Sequence, residues 1–301
     1  MRIFVTGGTG AIGSYAVPAL VDAGHSVSAL ARSDTKADVL EKQGATPVLV
    51  SLFDRDALAV AFAGHEAVVN LASALPPTTS FWRRSAWQAC ERVRIEGSSS
   101  VVDAALTARV PRLIQESVVM LYADGGNEWI DEGHAVDHYP ITTGNHGAEA
   151  SARRFTEAGG TGTILRFGVF YGRGAAHSEQ LLQLARLHVG FVPGRADSFI
   201  SSIHVADAAA AILPALRGPG GLYNVVDDRP TTKHEYAEAC FAAVGTRPWL
   251  SGPGRLGLLL GDRLTSLTRS LRVSNARFKA ETSWQPRFSS VREGYFAMAA
   301  A

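Results

Sequence analysis

The chain opens with three consecutive features: a short apolar run, a glycine-rich loop and a segment of helical periodicity. The apolar run covers residues 3–5, the loop reads TGGTGAIG over residues 6–13, and apolar residues then recur at helical spacing to residue 23. This order predicts a strand, a tight turn and a helix. Gly7 permits the turn, Gly10 lets the backbone approach a phosphate, and Gly13 lets the helix pack closely on the strand. Because the positive end of the helix dipole meets the phosphates, the segment predicts a dinucleotide-binding βαβ unit.

Strand-like and helical stretches alternate after this unit. Strands are predicted at residues 26–30, 47–50, 67–71, 112–116, 163–165 and 223–226, and helices at residues 55–62, 97–108, 148–158 and 205–216. The alternation predicts an α/β protein with a Rossmann doubly wound parallel sheet and a smaller interleaved substrate lobe. The dinucleotide-binding domain is expected to comprise residues 1–171 and 203–226. Residues 172–202 and 227–301 are expected to form the smaller substrate-binding lobe.

The residue at the end of the second predicted strand indicates which dinucleotide is bound. An NAD-binding protein places an acid there to hold the ribose 2′-hydroxyl, whereas this chain has Arg32. A guanidinium favours a 2′-phosphate, and Lys36 lies close enough in sequence to reinforce it. Asp34, two residues later, is the feature that argues for NAD. The sequence therefore predicts NADP as the cofactor.

Composition excludes several other classes of function. The 301 residues are 46% hydrophobic and carry a net charge of +1, which is typical of a globular protein with a large core. We find no basic cluster with interleaved aromatic residues for nucleic acid, and no apolar run of about 18 residues for a membrane span. The two cysteines are far apart, and the nine histidines show no metal-ligand spacing, so neither a disulfide framework nor a metal site is expected. Because Met1 leads directly into a strand, a cytoplasmic protein is expected.

Further motifs follow the glycine loop in a fixed order. They are NLAS at residues 70–73, LRFG at 165–168, IHVAD at 203–207 and YNV at 223–225. Together these make the chain resemble the extended short-chain dehydrogenases/reductases of the NAD-dependent epimerase/dehydratase kind. The resemblance implies a homodimer through the helices at 97–108 and 148–158. It also implies the residues that line the cofactor: Gly7, Thr9, Gly10, Ala11, Ile12, Gly13, Arg32, Ser51, Leu52, Leu71, Ala72, Ser73, Phe167, Gly168 and Val169.

The chain departs from this family in its catalytic residues. Family enzymes use a Ser or Thr after the fifth strand, a Tyr, and a Lys four residues later. Here Val118 stands at the hydroxyl position, residues 141–148 contain neither Tyr nor Lys, and the chain has no lysine between Lys42 and Lys233. Arg94 replaces a family Asn. The sequence is therefore that of an atypical member without the Tyr-x-x-x-Lys pair.

Proton transfer, if the protein performs it, needs another group, because a tyrosine without a neighbouring cation is a poor base at neutral pH. The candidates are Tyr122 and Ser117, which follow the fifth strand, and His146, which lies near the missing pair. Each has a structural alternative. Tyr122 is explained equally by packing, Ser117 by closing the strand end, and His146 by solvent exposure in a glycine-rich loop.

Three functions remain open. The first is an NADP(H)-dependent reductase or redox-neutral isomerase that acts on a small carbonyl or enone substrate. The second is a catalytically silent NADP(H)-responsive regulator or scaffold, and the third is a subunit that binds no nucleotide. The first is favoured because several aromatic and polar residues suit a small ligand, namely Trp82, Trp87, Tyr171, Arg173, His177 and Trp249. His204 and Asp207 are interpreted as structural residues at a helix start.

Overall fold

A parallel sheet of seven strands organises the computed structural model, which describes residues 1–190, 193–251, 261 and 265–300. Its spatial order is 3-2-1-4-5-6-7, with every neighbouring pair parallel. The order of the strands reverses between β1 and β4, and ligands of such sheets bind at the carboxyl ends of the strands beside this point. The Rossmann prediction is confirmed. The strands are β1 (Arg2–Thr6), β2 (Ser26–Ala31), β3 (Thr46–Leu49), β4 (Ala67–Asn70), β5 (Arg112–Val118), β6 (Thr161–Phe167) and β7 (Gly221–Val225).

Helices cover both faces of the sheet, and each face has its own apolar core. Alternate residues of one strand serve the two cores: Phe4 packs with helices α3 and α5, whereas Ile3 and Val5 pack with α1, α8 and α9. This double burial explains the uninterrupted apolar strands. The helices are α1 (Gly13–Asp22), α2 (Asp34–Lys42), α3 (Arg55–Phe62), α4 (Gln88–Arg92), α5 (Ser98–Thr107), α6 (Thr143–Glu157), α7 (Ala176–Arg186), α8 (Val205–Ala210), α9 (Ile212–Arg217), α10 (Lys233–Ala243), α11 (Thr265–Thr268), α12 (Ala276–Glu281) and α13 (Val291–Ala300).

Two helices differ from their predicted limits for identifiable reasons. Helix α6 begins at Thr143 and not at residue 148, because Gly144 and Gly147 are packing positions: a Cβ on them would meet Arg94 and Ile95 at 3.1 and 2.8 Å. The single helix predicted at 205–216 is divided into α8 and α9. Pro214 has no N–H to donate to the preceding turn, which favours this break.

Outside the sheet, helices α7, α10 and α13 enclose a smaller core. Three tyrosines, Tyr171, Tyr236 and Tyr295, are buried in it, and the hydroxyl groups of Tyr236 and Tyr295 lie 2.8 Å apart. The short strands Val169–Tyr171 and Ser202–His204 pair beside it. These elements fall mostly in the range assigned to the smaller lobe, which also contains the residues outside the description. The division into two domains stays a prediction.

Neither a membrane span nor a metal cluster is found in the part of the chain that the structure describes. No helix there is both long enough and apolar enough to cross a bilayer. The same residues contain no group of three or more His, Cys, Asp or Glu side chains that could hold a metal ion.

His204 and Asp207 both stabilise the junction after the strand Ser202–His204. The Nδ1 atom of His204 accepts the Ala206 N–H and so caps α8, while its ring packs on Tyr171 and Phe288. A carboxylate oxygen of Asp207 accepts the N–H of Phe288 at 3.0 Å. Burial, together with nearby Arg287, lowers the pKa of His204 to about 4. The ring is therefore neutral in the folded protein at neutral pH.

The lowered pKa of His204 gives a testable pH dependence of stability. The unfolded chain binds a proton at about pH 6.5 and the folded chain at about pH 4, so this contribution is complete above 6.5 and is lost as pH falls towards 4. We expect a loss on the order of 2 kcal/mol, allowing for solvent screening. His204→Asn keeps a capping acceptor and removes the titration. Urea denaturation of both proteins from pH 7 to pH 4 measures the difference, and an equal pH dependence in the two would contradict the assignment.

Candidate active site

A cleft of ≈ 720 Å³ runs along the carboxyl edge of the sheet. Most of its walls come from the ends of the first five strands and the loops that follow them, and Val93 and Phe170 complete the lining. The residues that line it are Thr6, Gly7, Thr9, Gly10, Ala11, Ile12, Gly13, Leu30, Ala31, Arg32, Lys36, Leu49, Val50, Ser51, Leu52, Phe53, Leu71, Ala72, Ser73, Leu75, Val93, Glu116 and Phe170.

The glycine loop forms the floor of the cleft, and two of its positions accept no side chain. Gly7 has a φ of +71°, and a Cβ there would lie 2.8 Å from the backbone nitrogen of Ala72. A Cβ on Gly13 would lie 2.6 Å from the Cα of Gly8. These contacts involve backbone atoms, which cannot rotate away. The loop is therefore held in a tight form against β4.

The N-terminus of α1 suits a phosphate group. No side chain caps this helix and its first turn contains no acid, whereas Ser33 caps α2 and Asp54 caps α3. The first N–H groups of a helix have no acceptor within the helix. At the start of α1, the N–H groups of Ala11, Ile12 and Gly13 line the cleft and have no backbone acceptor within the described residues. The helix dipole favours negative charge there. The residues present therefore fit a dinucleotide pyrophosphate.

Because the strand ends line the cleft, the order of the strands determines which residues lie towards each end of it. Residues 51–53 follow β3, Arg32 follows β2, the glycine loop follows β1, residues 71–73 follow β4, and Glu116 belongs to β5. Because neighbouring strands are about 4.8 Å apart, this edge is long enough for an extended dinucleotide. With the pyrophosphate on the glycine loop, the adenosine would lie towards Arg32 and the nicotinamide towards Glu116.

Two cations line the adenosine end of this cleft. Arg32 is exposed directly after β2, and Lys36 lies one turn into α2. Within the described ranges, no carboxylate oxygen lies within 4 Å of either side-chain cation. The Asp34 that argued for NAD stands in the first turn of α2 and does not line the cleft. The local charge is therefore positive and unneutralised.

The structure brings together twelve of the fifteen residues predicted to line the cofactor, from Gly7 to Ser73. The other three do not line the cleft. Phe167 is buried in the core, and Gly168 packs so tightly on the strand Ser202–His204 that a Cβ would lie 2.8 Å from the Ser201 oxygen. Phe170, which follows Val169, lines the cleft instead.

The three predicted catalytic residues lie outside the cleft lining. Ser117 is buried and donates its hydroxyl to Glu149 at 2.7 Å. Tyr122 is buried, donates to Asn224 at 2.8 Å, and has a pKa raised by burial. His146 is half-buried, bonds the Asp137 carbonyl at 3.0 Å and has a pKa lowered by burial. The placements of Tyr122 and Ser117 match their structural alternatives, whereas His146 lies in α6 and not in an exposed loop.

Glu149 is the centre of a buried polar network beneath the cleft. Arg166 donates to it through two bonds of 2.7 and 2.8 Å, and Ser117 donates a third. Arg153 adds a longer contact from the helix surface. Both carboxylate oxygens are therefore occupied, and Arg166 also stacks on the Tyr122 ring at 4.7 Å. This network joins β5, α6 and β6.

A second buried Glu–Arg pair, between Glu116 and Arg94, lies at the nicotinamide end of the cleft. The Arg94 Nη2 atom donates to Glu116 Oε1 at 3.0 Å, and both side chains are 4% exposed. The sequence marks Arg94 as the replacement of a family Asn but gives Glu116 no role. The available signal is a run of three polar residues, Gln115 to Ser117, inside a buried strand.

The six aromatic and polar residues that the sequence suggests for a small ligand lie in separate parts of the structure. Tyr171 is buried in the small core, while Trp249 is 82% exposed and stacks on His188. Trp82 is exposed, and Trp87 donates its indole N–H to the Phe81 carbonyl. Arg173 and His177 lie beside and within α7. None of these six lines the cleft.

Comparison with known proteins gives matches over most of the chain. A family model described as NAD(P)H-binding matches residues 7–215. A 3-diazoavenalumate denitrifying reductase of a Streptomyces species is 30% identical, over 98% of this chain and 99% of its own. A 4-hydroxy-2-methyl-3-oxo-4-farnesyl-3,4-dihydroquinoline-1-oxide ketoreductase of Stigmatella aurantiaca is 32% identical, over 93% of this chain and 84% of its own. The crystal structure of human epimerase family protein SDR39U1 (isoform 2) with NADPH superposes with a TM-score of 0.83 at 24% identity, covering 100% of this chain and 99% of that one.

Proposed function

This chain belongs to the NAD(P)H-binding protein family, and from that premise we propose that it is an NADP(H)-dependent reductase of small carbonyl or enone compounds. The observation that carries the proposal is the positive adenosine end of the cleft, where Arg32 and Lys36 are unneutralised. Two cations there match the 2′-phosphate that distinguishes NADP from NAD. The names of the two relatives favour net reduction over a redox-neutral isomerisation, because both are reductases.

Different residues of the cleft would bind different parts of the cofactor. The N–H groups at the start of α1 would hold the pyrophosphate, while Arg32 and Lys36 would hold the 2′-phosphate. Val93 and Phe170 add apolar surface at the opposite end, which would exclude water from the acceptor. Bound NADPH supplies a hydride, so the protein contributes position, electrostatics and one proton. The human relative solved with NADPH supports this cofactor choice.

Arg32→Ala tests the 2′-phosphate contact. A hydrogen bond to a charged group is worth about 1.5–3 kcal/mol, so NADPH affinity should fall about 10- to 100-fold while NADH affinity changes less than about twofold. Lys42→Ala, which replaces an exposed lysine at the far end of α2, is the matched control and should change neither affinity. Quenching of tryptophan fluorescence during titration measures all three proteins. Equal losses of NADPH and NADH affinity in Arg32→Ala would contradict the proposed contact.

Turnover separates the reductase from the silent regulator. Purified protein with NADPH is offered a panel of ketones, aldehydes and enones, and loss of NADPH absorbance is followed. The reductase consumes NADPH with at least one class of acceptor. Tight binding of NADPH without turnover on any of them would favour the regulator instead.

A further inference from the structure

Two buried Glu–Arg pairs lie near the carboxyl edge of the sheet, and they differ in how fully they are bonded. In the Glu149–Arg166 pair the carboxylate receives two hydrogen bonds from the guanidinium and one from Ser117. In the Glu116–Arg94 pair a single bond of 3.0 Å joins the two side chains. Arg94 also contacts the hydroxyl of Ser73 at 3.4 Å and interacts with the buried thiol of Cys90.

Within the residues that the structure describes, the Glu116–Arg94 pair leaves three buried polar atoms without a hydrogen-bond partner. They are the Oε2 atom of Glu116 and the Nε and Nη1 atoms of Arg94. Buried polar groups are almost always hydrogen-bonded, and each exception is destabilising. Glu116 also lines the cleft, and its unpartnered carboxyl oxygen is shielded from water there. The saturated Glu149 pair offers nothing comparable.

Resting on the proposed reductase function, we propose that Glu116 is the catalytic acid that protonates the substrate oxygen, with Arg94 as its positioning residue. The pair would stand in for the Tyr-x-x-x-Lys relay that this chain lacks. Glu116 belongs to β5, next to β4, whose loop supplies residues 71–73 of the cleft wall. It therefore lies at the end of the cleft where the hydride acceptor would bind.

The step balances as a two-electron reduction. The carbonyl carbon accepts the hydride, the π electrons of the C=O bond move to oxygen, and that oxygen takes the proton from Glu116 Oε2. The products are an alcohol and NADP⁺, and the Glu116 carboxylate then recovers a proton from water. The Nη2 atom of Arg94, 3.0 Å from Oε1, stabilises the carboxylate in the meantime. Burial raises the pKa of Glu116 although Arg94 opposes the shift, so the acid form persists to higher pH than in an exposed glutamate.

Glu116→Gln is the principal test, because glutamine keeps the acceptor for Arg94 but cannot supply the proton. We expect kcat to fall about 10²- to 10⁴-fold, which is the usual contribution of a general acid, while the Kd for NADPH changes less than about twofold. Glu96→Gln, an exposed glutamate paired with Arg92, is the control and should leave both values unchanged. A weakened Kd with unchanged kcat would make Glu116 a cofactor ligand and overturn the proposal.

The pH profile tests the role of Arg94. In the wild type kcat should decline as pH rises through the pKa of Glu116, because the acid form is consumed. Arg94→Gln removes the cation that favours the carboxylate, so the decline should move to higher pH. Arg94→Lys should restore much of the wild-type profile. A decline that stays in place in Arg94→Gln would exclude this positioning role.

A spectroscopic measurement tests the acid without relying on turnover. The infrared band of a protonated carboxyl is recorded across the pH range and assigned to Glu116 by its loss in Glu116→Gln. The proposal expects this band to persist to higher pH than that of an exposed glutamate, in the protein alone and with NADPH. An ionised Glu116 throughout would overturn it even if the reductase function stands. If the band is present but no acceptor is reduced, the proposed function fails and not the assignment of the acid form.

Discussion

Replacing Gly13 with alanine is expected to abolish dinucleotide binding and to destabilise the fold by about 3 kcal/mol. The new Cβ would lie 2.6 Å from the Cα and 2.7 Å from the carbonyl carbon of Gly8. Relief requires α1 to move away from β1, which displaces the N–H groups that face the pyrophosphate. Urea denaturation and titration with NADPH measure the two effects.

Gly24→Ala is the matched control for this substitution. Gly24 follows the other end of α1 with a φ of +81°, and a Cβ there meets no atom within 4 Å. Alanine at this position carries only the backbone strain, about 1 kcal/mol, and NADPH binding should persist. NADPH affinity within twofold of the wild type in Gly13→Ala would show that the loop does not hold the cofactor.

Glu149→Ala is expected to lower the free energy of unfolding by about 3–5 kcal/mol, which is more than Glu96→Ala should cost. The substitution leaves the buried guanidinium of Arg166 without its carboxylate and removes the acceptor of Ser117. Glu96→Ala breaks an exposed pair with Arg92 and should cost less than about 1 kcal/mol. Denaturant unfolding compares the variants.

The reason for the Glu149 effect is itself testable with a double variant. Because the cost comes from an unpaired buried charge, replacing both partners by apolar side chains should be milder than removing one. Glu149→Leu combined with Arg166→Met is therefore expected to recover much of the stability lost in Glu149→Ala. A single-variant loss below 1 kcal/mol would mean that water replaces the carboxylate and that the network is not structural.

The sheet, the glycine loop and the adenosine end of the cleft could be predicted because their sequence signals are local. The glycine loop combines turn, close packing and helix start within eight residues, and strands buried on both faces are continuous apolar runs. The position of Arg32 follows from the end of β2 alone. Each of these features needs only neighbouring residues to be recognised.

The nicotinamide end of the cleft could not be predicted, because its residues are far apart in sequence and come into contact only in the folded chain. Glu116 and Arg94 are 22 positions apart, and neither would be expected to be buried without the other. Tyr122 is a case in which sequence position misleads. Its place after β5 favours a catalytic role, but its hydroxyl points into the core and donates to Asn224. Helix α6 begins at Thr143 and not at the predicted residue 148, because Gly144 packs on Arg94. Helix propensity does not reveal such a contact.

A calorimetric titration of the purified protein with NADPH and, separately, with NADH tests the central claim most directly. The account rests on a glycine loop that holds a dinucleotide and on two unneutralised cations that select its 2′-phosphate. It predicts that NADPH binds at least about tenfold more tightly than NADH, a difference of about 1.4 kcal/mol. Equal or tighter binding of NADH, or no binding of either, would contradict it.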